Sequence, residues 1–216
     1  MTNRDLPAPR LMSLRTLIAV ALIGCALPVA PISSQVASNP SGLALGVGVA
    51  GIAVDADFGI GNGTEFGVGY HLEAGWGLSR GLIAFVRYSS ALIDSDVNYT
   101  VGQVDAGARY LFLGSASQLR PYLEGGIARR RLTQVNVITD SAIPDDARAT
   151  SVGVLGGIGL NFFVNPRLAV DVAATIAPGT FDDWTARGQA IPIPGVDAVS
   201  YGFRLGVRVW PSNREN

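Results

Sequence analysis

From Gly42 to Trp210 the chain repeats one pattern, stretches of about ten residues in which large apolar side chains alternate with small or polar ones. Successive side chains of an extended strand point to opposite faces. The stretch Tyr201 to Trp210 therefore places Tyr201, Phe203, Leu205, Val207 and Val209 on one face and Gly202, Arg204, Gly206 and Arg208 on the other, with Trp210 capping it. Such a segment is no core helix. Seven more predict strands: 43–54, where the phase slips near Gly51 and a β-bulge is expected, then 65–76, 82–90, 101–112, 122–132, 151–164 and 168–176. About ten residues tilted near 45° is the bilayer-crossing length of a strand.

The connections alternate in character. Those near 77–81, 114–121 and 165–167 are short, and those near 55–64, 91–99, 133–150 and 178–198 are longer. Short turns on one rim and long loops on the other mark a membrane barrel. The pattern predicts an all-β fold, an eight-stranded antiparallel up-and-down transmembrane β-barrel over 42–210 with a short tail at 211–216. Alternation by itself also fits a soluble, lipocalin-like ligand-binding barrel, whose apolar face points inward. Composition separates the two: there are 27 glycines in 216 residues, nearly twice the usual share of about 7%. With Ala, Ser and isolated charges, glycine dominates the polar face of the strands, where a soluble barrel would carry Lys, Glu, Thr and Gln. Glycine weakens a solvent-facing strand, whereas the narrow lumen of an eight-stranded barrel requires small side chains.

If that face is the lumen, it holds Glu73, Asp105, Glu124 and Asp171 against Arg109, Arg130, Arg204, Arg208 and Arg87, with His71 beside Glu73. Buried unpaired, each charge would cost several kcal/mol, so pairing across strands is expected. All 16 basic residues are arginine. A GC-rich genome would produce this, and so would a need for fixed, bidentate carboxylate partners in tight spaces. The set is either a polar plug or gate, or simply a satisfied lumen. A wide pore is not expected, since porins use 16 or more strands.

Ahead of the barrel, Arg10 and Arg15 precede the short apolar run Leu17 to Gly24, followed by Pro28 and Pro31. This reads as a secretory signal peptide over about 1–34, with cleavage between 26 and 38. Leu22-Ile23-Gly24-Cys25 also resembles a lipobox in which Cys25 would be acylated, although a spanning barrel needs no acyl anchor. Cys25 is the sole cysteine, which rules out an intramolecular disulfide. No later run approaches the 20 or so apolar residues of a transmembrane helix.

With this segment, the eight alternating stretches, Pro121-Tyr122-Leu123-Glu124-Gly125-Gly126 and the run Gly156 to Leu168 in view, the chain resembles the OmpA/OmpX-like small outer-membrane β-barrel family from about Gly42 to Trp210. The resemblance implies a Gram-negative cell outer membrane, outer-membrane lipid as surroundings, and the barrel-insertion machinery as a partner. Family members usually finish on an aromatic residue, whereas Pro211 to Asn216 follow Trp210 here, and no peptidoglycan-binding domain follows the barrel.

Other functions find little support. A formal net charge of −1 leaves no electrostatic footprint for nucleic acid, and alternation splits Arg129-Arg130-Arg131 across two faces, as at a strand end. A lipid-modifying enzyme would need a nucleophile within reach of His71 and Glu73, and Ser90 or Ser151 would serve only by coincidence of fold. No catalytic, cofactor or metal residues are expected. Asp55, Asp57, Asp94, Asp96, Asp140, Asp145 and Asp146 are read as solvated loop acids rather than calcium ligands. A structural or surface-interaction role is favoured over a small-solute channel, with loops 133–150 and 178–198 presenting Trp184, Ile191 and Ile193 to an extracellular partner.

Overall fold

The computed structural model describes residues 40–57, 62–93, 99–112, 117–134 and 147–211, all within the compact unit Gln35–Asn216. The expected signal peptide and Cys25 lie outside them. Nine strands follow in order: β1 (Gly42–Asp57), β2 (Asn62–Gly77), β3 (Leu82–Ile93), β4 (Tyr99–Leu111), β5 (Leu119–Gln134), β6 (Ala147–Asn165), β7 (Leu168–Ala186), β8 (Gln189–Ala190) and β9 (Val196–Val209). Each long strand pairs antiparallel with its sequence neighbour, β7 pairs with β9, and β9 returns to β1. The wall is thus a closed eight-stranded barrel with no free edge, and β8 only lengthens the β7 hairpin. No helix among the described residues is long and apolar enough to cross a membrane.

Polarity is inverted relative to a soluble barrel. Ile127, Val152, Val154, Ile158 and Phe203 are about half to two thirds exposed, and Arg204 and Arg208 on the opposite face of β9 are buried. A continuous exposed belt of Val, Leu, Ile and aromatics far exceeds the few hundred Å² that a soluble monomer shows. It is the surface expected against acyl chains.

No bulge occurs at Gly51: β1 pairs with β2 in unbroken register from Gly42 to Asp57. What changes there is the polarity of the faces. Below Gly51 the inward positions are small, and above it Ile52, Val54 and Ala56 are buried while Asp55 points out. The register shifts lie instead between β6 and β7, at Thr150/Ser151 and Phe163/Asn165.

The same inversion corrects the expected loops. Segment 178–198 is largely strand, because β7 runs to Ala186 and β9 starts at Val196, and the described residues of 133–150 belong to the ends of β5 and β6. There the exposed residues are Arg148 and Asp183 while Ala149 and Phe181 are buried, the ordinary arrangement of a wall standing in water. Arg187 and Gly188 both have positive φ, 54° and 72°, and close the β7–β8 hairpin as the type I′ geometry requires. Connections 55–64 and 91–99 shorten likewise to 58–61 and 94–98. At the other rim Asn165 Oδ1 accepts from Arg167 N at 2.8 Å, closing the tight β6–β7 turn.

Candidate functional site

The described inward side chains include an apolar cluster toward each end of the barrel and a charged belt between them. At the end with the short turns, Ile83, Leu111, Phe163 and Trp210 form an apolar floor, with the Phe163 and Trp210 rings stacked at 5.2 Å. Trp210 shares the parity of Arg208, so the aromatic at the end of β9 turns into the barrel and is fully buried. At the other end Ile52, Val54, Ile93, Val101 and Phe181 form an apolar lid, and Trp184 packs against it. Trp184 is therefore not a free contact residue, whereas Ile191 and Ile193 are exposed.

Between the two lies a charged belt. Arg109 grips both oxygens of Glu73 at 2.9 Å each and reaches Glu124 Oε2 at 2.8 Å. Arg87 donates through Nε and Nη2 to Asp105 at 2.9 and 2.7 Å and through Nη1 to Glu124 at 3.0 Å. From β9, Arg204 reaches Glu124 at 2.7 Å, and Arg208 pairs with Glu73 at 2.8 Å and Asp171 at 3.3 Å. Four guanidiniums meet four carboxylates, a neutral set contributed by β2, β3, β4, β5, β7 and β9. The rings of Phe85 and Tyr122 lie 5.0 and 4.5 Å from the Arg109 guanidinium, positions that favour a cation.

Two of the ten expected residues stand apart. Arg130 is fully buried yet bonds the hydroxyls of Ser200 and Ser151, at 2.6 and 3.0 Å, beside the Phe181 ring. It lies above the belt. His71 donates through Nδ1 to the carbonyl of Val49 at 3.3 Å. Its ring fills the space over Gly48 and Gly206, where an added Cβ would stand 2.7 and 3.0 Å from Cε1. Ser90 is on the outward parity of β3, opposite in direction to His71, and the Ser151 hydroxyl is held by Arg130, so neither serine is presented to the histidine.

Some participants escaped the sequence reading. Tyr122 donates to Asp171 at 2.8 Å and accepts from Arg204 at 3.0 Å, Asn161 accepts from Arg208 at 2.7 Å, and Gln103 donates to Asp105 at 2.8 Å. Parity was the available signal, since Tyr122 shares the face of Glu124 and Asn161 that of Ser151. Asp55 is exposed on β1, while Asp94, Asp96, Asp140, Asp145 and Asp146 fall outside the described residues.

An inside-out eight-stranded barrel with a charged interior and an apolar exterior belongs to the class of small outer-membrane barrels. The chain is a member of the outer membrane protein beta-barrel domain family, whose model matches residues 17–209. No curated protein matches it. Among solved structures it is similar to Neisserial surface protein A, at 19% identity and a TM-score of 0.61, with 78% of this chain and 97% of that one covered. It is also similar to OprG from Pseudomonas aeruginosa, at 11% identity and a TM-score of 0.55 over 81% and 98%. AlkL in lipid bilayers gives 11% identity and a TM-score of 0.51 over 82% and 95%. These likenesses are likenesses of fold. The protein resides in the outer membrane, and the soluble ligand-carrying barrel is not favoured.

Proposed function

We propose that the barrel is a closed, non-catalytic scaffold that displays its water-exposed rim at the cell surface, with the charged belt acting as an internal strut and plug. The observation that carries this is the belt itself: each of its four carboxylates accepts from an arginine, and apolar layers close the lumen on both sides. A path for solute would require breaking several buried ion pairs together, each costing about 3–5 kcal/mol when one partner is lost. Export by the segment ahead of Asn39, delivery by the barrel-insertion machinery and a surround of outer-membrane lipid belong to the same reading. So does an extracellular partner meeting the rim near Ile191 and Ile193.

Planar-bilayer recording tests the plug. Purified protein is expected to show no conductance above the bilayer background, and steady ohmic steps from the unaltered protein would refute the closed lumen.

A further inference from the structure

None of the four arginines of β5 belongs to the belt. Arg130 enters the lumen, and its neighbours Arg129 and Arg131 point outward and are exposed. Beneath them the outward face of β5 is Leu119, Pro121, Leu123, Gly125 and Ile127, without charge. At about 3.3 Å per residue and a tilt near 40° that face rises roughly 20 Å from Leu119 to Ile127. Arg129 thus stands at the upper edge of an apolar band of about 25 Å, on the rim with the longer connections, the outer rim in this arrangement.

The surroundings favour an anion. Arg129 opposes Val104 on β4 and Val152 on β6, and Arg131 opposes Gly102 and Thr150, none of them charged. Arg148 on β6 opposes Thr133 and so sits diagonally from Arg131, about 7–8 Å away and within reach of long side chains. Among the described side chains, the other charges on the outward face of the strands are Asp55, Asp182, Asp183 and Asp197, on β1, β7 and β9. Among the described strand side chains, the outward cations of this rim therefore lie on β5 and β6 and the outward anions on β1, β7 and β9. Asp183, diagonal to Arg148, marks the border.

We propose that Arg129 and Arg131, flanked by Arg148, form a binding site for the phosphate of an outer-leaflet lipid headgroup whose acyl chains lie along Val104, Ile127, Val152 and Val154. Guanidinium forks bind phosphate bidentately, and the arginine stems cover apolar surface while the heads reach the interface. A lipid fits better than a soluble acidic protein because the cationic pair is continuous with the acyl-facing belt. A protein docked there would have half its footprint in hydrocarbon. The site depends on the outer-membrane location and not on whether the lumen conducts.

The experiment reconstitutes the folded protein in phosphatidylcholine bilayers containing bisphosphorylated lipid A, or lipid A stripped of phosphate, and counts retained lipid by native mass spectrometry. The wild type is expected to prefer the phosphorylated form. R129Q and R131Q should each reduce the preference roughly fivefold, the share of one arginine near a charged surface, and the double variant should bring it close to parity. R129K/R131K, which keeps charge and loses the fork, should fall between. R80Q, on the opposite rim, should change nothing, and heat-modifiable migration on gels reports that each variant is folded. Equal retention of both lipids by the wild type, or an unchanged preference in folded R129Q/R131Q, would overturn the site.

Discussion

At the scale of single residues, the interior is governed by which groups are left alone when a partner is removed. Arg109 serves Glu73 and Glu124 together, so R109M takes one guanidinium partner from each and leaves the buried belt with one surplus negative charge. It should destabilise the fold by about 3–5 kcal/mol, read as a fall in the urea midpoint with little change in slope. Glycine acts by absence of a side chain: a Cβ at residue 159 would lie 2.4 Å from Tyr122 Cζ, displacing the hydroxyl that joins Asp171 to Arg204. G159A should therefore cost about 1–3 kcal/mol by overpacking, a loss that Y122F, which keeps the ring, does not relieve. The ionic residues of the belt were legible from parity and charge. Their partners were not, because Arg130 differs from the belt arginines only in which hydroxyls and carboxylates three-dimensional register places beside it.

At the scale of elements, strand number and inward faces could be read wherever lipid imposes apolar residues at every second position. Readability ended where strands leave the band. In β6 and β7 the outward face becomes Arg148, Thr150 and Asp183 while Ala149 and Phe181 turn inward, so the period persists with its sign reversed and resembles loop sequence. The two-residue Arg187-Gly188 turn lacks the Asn-Gly signature of its type. The boundary between the regimes can be tested on β6. I158R places a charge in the middle of the belt and should cost about 2–4 kcal/mol in lipid, whereas T150R, above the belt, should stay within about 0.5 kcal/mol. Unfolding of both variants from vesicles gives the comparison, and equal costs would contradict the assigned depth.

For the whole molecule, a closed wall with a cross-linked interior predicts that folded protein migrates apart from boiled protein on SDS gels and leaves the membrane only with detergent. Release in buffer alone would contradict the inside-out assignment. The belt also bears on how the wall can close. Before β9 joins, the sheet of β1 to β7 holds all four belt carboxylates but only Arg87 and Arg109 of the four belt arginines; Arg204 and Arg208 arrive with the last strand. The inward face of β1 meets Arg208 with Gly46 and Arg204 with Ala50, offering space rather than charge. Ring closure is thus also a neutralisation step. A β9 slipped by one residue would send its arginines toward lipid and leave surplus negative charge within, so only the correct register yields an electrically balanced barrel.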